Sequence, residues 1–222
     1  MPAEIIVISE PMLIPIWFYL YSVIAYGAVS LISFLISFFA FKLYKASSLA
    51  SNKVISISFL ALGIAFLFLT ATSACTYFYE PYLKPLVVLS AVNYFGYNIY
   101  YLASLVAYVV LGVSHFPKKI KNKLFMFYLP LWYINSTAFH AISIVVLLYI
   151  VAVNIFSLLK KSSKKISRLN SCLVTVCFIS MLAFHSLLLL TEFNVNLYLA
   201  ALAILAVGFG SLLTMFIRVN EE

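Results

Sequence analysis

Six long runs without a charged side chain divide this sequence, and they constrain its fold more than any other feature. The runs cover residues 11–41, 54–79, 85–117, 124–159, 169–191 and 193–217. A helix that crosses a bilayer needs about 20 apolar residues, because each residue advances ~1.5 Å through a hydrocarbon layer about 30 Å thick. Every run is long enough, so the sequence predicts an all-α, polytopic transmembrane helix bundle.

The composition points to the same class of protein. Hydrophobic residues make up 65% of the 222 residues and charged residues 9%, whereas a soluble domain is typically about 45–50% apolar and about 25% charged. We therefore expect a multi-pass protein of the cell membrane, solvated by the lipid bilayer. The net charge of +8 comes from short basic clusters between apolar runs. That is typical of cytoplasmic loops, so we expect no nucleic-acid partner.

The run 124–159 decides the number of spans. It holds 36 uncharged residues between two strongly basic clusters, Lys118–Lys123 and Lys160–Arg168. If both clusters are cytoplasmic, the run must cross an even number of times, with a turn at Asn135–Thr137. The alternative is a re-entrant segment, whose non-helical backbone would need protein partners at depth. We predict seven spans in a single transmembrane domain, residues 1–222, at about 14–41, 54–76, 86–113, 121–137, 138–160, 169–191 and 196–217.

The basic residues also predict an orientation. With seven spans, an outside N-terminus and an inside C-terminus, only Lys84 of the fourteen basic residues falls outside. Basic residues concentrate in cytoplasmic loops, which favours this topology. We expect these loops to contact anionic lipid headgroups or a cytoplasmic partner, and the protein to associate with other membrane subunits.

Two stretches resemble each other and indicate an internal repeat. Residues 101–114 read YLASLVAYVVLGVS, and residues 198–211 read YLAALAILAVGFGS. The predicted arrangement is 3+1+3, two parallel three-helix repeats joined by an inverting helix, which membrane proteins use. Chance similarity within a small apolar alphabet is the alternative.

A polar stripe marks the third predicted span. Tyr94, Tyr97, Asn98, Tyr101 and Tyr108 fall within an arc of ~100° at 100° per residue, so they share one helix face. They form either an interhelical hydrogen-bond seam or one wall of a ligand cleft. In both cases we expect Tyr97, Asn98 and Tyr101 to face the bundle.

His140 and His185 are the histidines inside predicted spans. A hairpin that turns near Lys164 places them roughly 4–5 Å apart along the axis, since each residue rises ~1.5 Å. Glu192, seven residues after His185, shares its face. Two imidazoles at one depth can bind haem b or another metal, or form hydrogen bonds within the bundle. We expect the hydrogen-bonded arrangement, with no cofactor.

No nucleotide-binding or hydrolase motif occurs in the chain, and we assign no catalytic residue. The sequence favours a non-enzymatic heptahelical sensor-like protein or membrane-complex subunit with an outer cleft for a small or lipid-like molecule. The candidate cleft residues are Tyr94, Tyr97, Asn98, Tyr101, His140, His185 and Glu192. The alternatives are a b-type cytochrome with haem between His140 and His185, and a uniporter or facilitator.

Overall fold

The computed structural model describes residues 16–79, 87–115, 135–160, 165–191, 194 and 196–221. These form six α-helices: α1 (Ile16–Ser47), α2 (Ala50–Tyr79), α3 (Val87–His115), α4 (Ser136–Lys160), α5 (Lys165–Leu190) and α6 (Asn196–Glu221). All six are long and apolar enough to cross a membrane. The prediction of an all-α, multi-pass membrane protein is therefore confirmed. Lys84, Glu192 and residues 121–134 of the predicted span 121–137 lie outside the described residues.

Local side-chain chemistry sets two of the helix ends. Asn135, in the predicted turn, caps α4, because its Oδ1 accepts a hydrogen bond from the Ala138 N–H at 2.8 Å. At the end of α1, Ser48 adopts a left-handed conformation with φ 54°, and its N–H donates to the Tyr44 carbonyl at 2.8 Å. That conformation ends many helices and turns the chain into α2.

The six described helices form a closed ring in chain order. Each helix packs against the next, and α6 closes the ring on α1. We call α1–α3 the first half and α4–α6 the second half. Within each half, a small residue brings two helices close together: Gly96 of α3 faces Thr72 of α2, and Gly208 of α6 faces Ser180 of α5. Side chains larger than hydrogen at these glycines would force the helices apart.

Most neighbouring helices are antiparallel. Ser30 Oγ of α1 donates to the Gly63 carbonyl of α2 at 2.8 Å. Seven residues further along α1, Ser37 Oγ donates at 2.8 Å to the carbonyl of Ser56, which lies seven residues back along α2. The pair α2 and α3 and the pair α5 and α6 show the same opposed order of contacts.

The helices α3 and α4 are parallel instead. The ring of Tyr101 lies 4.5 Å from that of Phe139. Further along both helices, a Cβ atom added at Gly112 would lie 3.3 Å from Val146. Because both residue numbers rise together, α3 and α4 run in the same direction.

The directions of the helices give the bundle two distinct ends. The helices α1, α3, α4 and α6 begin at one end, which we call the tyrosine end because Tyr97, Tyr101 and Tyr198 lie in that half of the bundle. The opposite end is the lysine end. All seven basic residues in the described part of the chain lie near it: Lys42, Lys45, Lys53, Lys160, Lys165, Arg168 and Arg218.

Candidate functional site

A chain of three hydrogen-bonded side chains joins α3, α4 and α5 inside the bundle. His140 Nδ1 lies 2.8 Å from His185 Nδ1, and His185 Nε2 lies 2.9 Å from the Tyr108 hydroxyl. Tyr108 and His185 are fully buried, and His140 is 6% exposed. We call these three residues the histidine chain. The short connection between α4 and α5 places the two imidazoles at one depth, and the structure brings them into direct contact.

The histidine chain has two consistent proton arrangements. In the first, Tyr108 donates to His185 Nε2 and His185 Nδ1–H donates to His140, which leaves an N–H on His140 Nε2. In the second, His140 Nδ1–H donates to His185 and His185 Nε2–H donates to Tyr108, which leaves the Tyr108 O–H free to donate elsewhere. A molecule that accepts or donates at His140 would therefore select the arrangement at Tyr108, on another helix.

Aromatic rings pack around the histidine chain. Phe139 is fully buried, and its ring centre lies 5.3 Å from that of Tyr100 and 5.4 Å from that of His185. The Phe184 ring lies 5.1 Å from His185. Tilted and edge-on aromatic pairs at these distances are favourable contacts, so the rings hold both histidines in place.

Three buried hydroxyl groups near the histidine chain have no hydrogen-bond partner among the described residues: Tyr100 Oη, Ser104 Oγ and Ser143 Oγ. Tyr100 is 2% exposed, and the two serines are fully buried. Tyr100, Ser104 and Tyr108 follow one another at four-residue spacing on one face of α3, and Ser143 lies one turn after His140 on α4. An unsatisfied buried hydroxyl costs about 1–3 kcal/mol, and native structures contain few of them. We call the histidine chain and these three hydroxyls the polar core.

A second hydroxyl cluster joins α1 to α6 at the tyrosine end. Tyr198 Oη lies 2.9 Å from both Ser22 Oγ and Tyr26 Oη. The Ser22 hydroxyl donates to the Phe18 carbonyl at 2.8 Å, so Tyr198 must donate to Ser22 and Tyr26 must donate to Tyr198. Every proton in this Tyr198 cluster therefore has an acceptor.

The Tyr198 cluster and the polar core are connected through stacked rings. Tyr26 stacks on Phe66 at 6.0 Å between ring centres, and Phe66 lies 5.6 Å from Tyr100. The cluster therefore lies one aromatic layer away from the Tyr100 hydroxyl, which has no partner among the described residues.

The structure divides the predicted polar stripe of α3. Tyr101 packs on Phe139, its hydroxyl bonds to Ser136, and its ring lies 6.4 Å from His140. Tyr97 is 39% exposed and Tyr94 is 63% exposed. The Asn98 amide donates to the Tyr94 carbonyl of its own helix at 2.7 Å.

Of the three residues expected to face the bundle, Tyr101 does so, and Tyr97 and Asn98 lie at its margin; Tyr94, the candidate cleft residue beside them, is exposed. The centre of the buried face of α3, which carries Tyr100, Ser104 and Tyr108, is turned by roughly 70° from the centre of the stripe at 100° per residue, and Tyr108 belongs to both. The reason is that α3 packs between α2 and α4, and the positions of those neighbours decide which face is covered.

The histidine geometry does not fit an axial haem site. Two axial imidazole nitrogens of one haem iron lie on opposite sides of the metal and roughly 4 Å apart, because each metal–nitrogen bond is about 2 Å long. The two Nδ1 atoms lie 2.8 Å apart, in direct hydrogen-bond contact. In the described part of the chain, no three His, Cys, Asp or Glu residues come together in a group that could hold a metal ion. Glu192, the predicted further member of this site, lies outside the described residues.

Several residues of the site were not predicted from the sequence. Tyr100 and Ser104 carry a signal in their four-residue spacing with Tyr108, but only Tyr108 was assigned to the predicted stripe. Tyr198 could have been found from the similar stretches, in which it aligns with Tyr101. Ser143 has no signal in the sequence, since a single serine in an apolar helix is common.

Comparisons of the chain with protein-family models, with curated proteins and with solved structures find no match. The geometry of the site is therefore the evidence for its chemistry.

Proposed function

We propose that this protein is a heptahelical, non-enzymatic membrane protein that binds a small, uncharged, hydrogen-bonding molecule in the polar core. The observation that carries the proposal is the set of three buried hydroxyls, Tyr100, Ser104 and Ser143, that have no described partner beside the histidine chain. A bound molecule with hydroxyl or carbonyl groups would satisfy them and would contact the end of the chain at His140.

The proposed ligand is uncharged because the core offers no counter-charge. Within the described helices, charged residues lie only near the helix ends: seven basic residues at the lysine end, and Glu221. Burying an isolated ion without a partner is far more costly than burying a hydroxyl or a carbonyl that is hydrogen-bonded. The rings of Tyr101, Phe139 and Phe66 offer apolar faces to the remainder of the molecule.

The proposed seventh span is supported by the direction of the helices. Because α3 and α4 are parallel, the end of α3 and the start of α4 lie at opposite ends of the bundle. Twenty residues, 116–135, connect them. As a helix, twenty residues reach ~30 Å, about the thickness of the hydrocarbon layer.

The proposed orientation places the lysine end in the cytoplasm, because basic residues concentrate on that side. The tyrosine end then faces outward, and the polar core lies in the outer half of the bundle.

The proposed 3+1+3 repeat is supported by matching burial in the two halves. In the register that aligns Tyr101 with Tyr198, five buried positions of α3 match buried positions of α6: Ser104, Leu105, Tyr108, Leu111 and Gly112 match Ala201, Leu202, Leu205, Gly208 and Phe209. The register that aligns Tyr26 with His140 matches Val29, Ser33, Ile36 and Ser37 of α1 with Ser143, Leu147, Ile150 and Val151 of α4. The register that aligns Phe66 with His185 matches Phe59, Leu62 and Ala65 of α2 with Phe178, Met181 and Phe184 of α5.

The topology is tested with single cysteines in a background in which Cys75, Cys172 and Cys177 are replaced by alanine. A membrane-impermeant thiol reagent added to intact cells should label Ser136→Cys at the tyrosine end. It should label Ser47→Cys at the lysine end only after the cells are opened. Labelling of both variants in intact cells, or of Ser47→Cys alone, would refute the proposed topology.

Ligand binding is tested by extracting the purified protein and analysing the extract by mass spectrometry. The wild type should release a stoichiometric molecule that a Tyr100→Phe, Ser104→Ala, Ser143→Ala triple variant lacks. The matched control is Ser33→Ala, which removes a fully buried hydroxyl that bonds to the Val29 carbonyl of its own helix. If the wild type and the triple variant release the same molecules, the binding proposal fails.

An absorbance spectrum of the same preparation examines the alternative of a b-type cytochrome. Because the two histidines touch in the structure, we expect no Soret band. A stoichiometric b-type spectrum that disappears in both His140→Ala and His185→Ala would replace the present proposal with electron transfer.

A further inference from the structure

The junction between α1 and α6 differs from every other junction in the described ring. Each other pair of neighbouring helices is consecutive along the described chain, whereas α1 and α6 are its first and last helices. Only side-chain packing and hydrogen bonds hold this junction. The two helices can therefore move apart there without stretching a loop that joins them.

At the tyrosine end, a single side chain bridges that junction with two hydrogen bonds. Tyr198 donates to Ser22 and accepts from Tyr26, both at 2.9 Å, and its ring stacks on Phe18 at 6.0 Å. Tyr26 also stacks on Phe66, which lies against Tyr100 of the polar core. A movement of α6 away from α1 would therefore break the Tyr198 bonds first and then uncover the layer above the polar core.

We infer that Tyr198 is a latch that controls entry to the polar core through the α1–α6 junction. With the latch closed, the core hydroxyls are inaccessible, in agreement with the burial of Tyr100, Ser104 and Ser143. With the latch open, a water-soluble molecule reaches them from the tyrosine end. The inference rests on the proposed core site, and it names the route by which that site is filled.

The test measures how fast a charged methanethiosulfonate reagent modifies a cysteine in the core. The reporter is Ser143→Cys, in the background without native cysteines and in lipid nanodiscs, where both ends of the bundle are accessible. Tyr198→Phe keeps the ring and removes the hydroxyl, so both bonds of the latch are lost. Interhelical hydrogen bonds average about 0.6 kcal/mol in membrane proteins, so the labelling rate should rise roughly five- to tenfold. Ser22→Ala removes one of the two bonds and should raise the rate roughly threefold.

Two controls separate a latch from general loosening. Ser33→Cys reports on a fully buried position of α1 deeper in the bundle, and its labelling rate should not change with Tyr198→Phe. Tyr44→Phe removes the same phenolic hydroxyl near the lysine end and should not change labelling of Ser143→Cys. The latch is refuted if Tyr198→Phe leaves the Ser143→Cys rate unchanged, if it raises the Ser33→Cys rate by the same factor, or if Tyr44→Phe has the same effect.

The two proposals fail in different experiments. If wild-type protein releases no bound molecule but the labelling rates change as expected, the latch stands and the binding proposal falls. If a molecule is released but the rates do not respond to Tyr198→Phe, the ligand enters by another route and the latch is wrong.

Discussion

In the proposed 3+1+3 repeat, the two halves of the bundle carry different chemistry at matching positions. In the first half, Tyr26 of α1 stacks on Phe66 of α2, with ring centres 6.0 Å apart and planes inclined by 23°. In the second half, the proposed repeat matches them with His140 of α4 and His185 of α5, whose ring centres lie 5.1 Å apart with a hydrogen bond between the rings. Both pairs join the first two helices of their half.

The difference indicates that the second half carries the polar site. Phe66 has no polar atom to satisfy and packs among the rings of Tyr26, Tyr100 and Phe209. His185 has two ring nitrogens, and both are hydrogen-bonded in a fully buried position. A phenylalanine can therefore be exchanged for another apolar residue at modest cost, whereas replacing the histidine removes the partner of two other buried groups.

The largest expected effect separates His185 from Phe66. His185→Leu leaves the Tyr108 hydroxyl and His140 Nδ1 without partners, and at ~1–3 kcal/mol for each buried group it should lower the free energy of unfolding by about 2–6 kcal/mol. Phe66→Leu, the matched apolar change, should cost about 1–2 kcal/mol. Equilibrium unfolding in mixed micelles gives both values. An equal or larger cost for Phe66→Leu would remove the distinction between the halves.

A smaller effect distinguishes hydrogen bonding from packing at His140. His140→Ala leaves His185 Nδ1 unpaired, while the amide of His140→Gln can donate or accept in its place. His140→Gln should therefore be more stable than His140→Ala by about 1–2 kcal/mol in the same unfolding assay. If the two variants unfold alike, the bond between the histidines contributes nothing measurable.

The two aligned tyrosines provide a still smaller comparison. Tyr198 makes two hydrogen bonds across its junction, and Tyr101 makes one described bond, to Ser136. At about 0.6 kcal/mol per interhelical bond, Tyr198→Phe should cost about 1.2 kcal/mol and Tyr101→Phe about 0.6 kcal/mol. A greater loss for Tyr101→Phe would mean that the junction between α3 and α4, not that between α1 and α6, is the stronger polar contact between the halves.

The smallest effect on the free energy of unfolding is expected for a tyrosine on the exposed face of α3. Tyr94 is 63% exposed and belongs to the predicted stripe, but not to the buried face of α3. Tyr94→Phe should change the free energy of unfolding by less than about 0.5 kcal/mol. A loss above 1 kcal/mol would place Tyr94 among the bundle-facing residues.

Much of the candidate site follows from sequence, but its details do not. The positions of His140 and His185 relative to their hairpin predict that they lie level, since the rise per residue of a helix is fixed. The position of Tyr108 in the same hydrogen-bonded chain was not predicted. It depends on how α3 is placed across the bundle from α5. Helical side chains also lean toward the start of their helix, which brings the Tyr108 hydroxyl to the level of His185.

By itself, the sequence determined that the chain forms long membrane-crossing helices, because uncharged runs of this length must satisfy their own backbone hydrogen bonds in lipid. The depth of each polar residue along its helix followed from the same fixed rise. Only the tertiary structure decided which face of each helix is buried: Tyr100, Ser104 and Tyr108 of α3, rather than Tyr94 and Asn98. The physical reason is that every face of these helices is apolar enough for lipid, so rotation about the helix axis is set by the shapes and hydrogen bonds of neighbouring helices, which no single segment encodes.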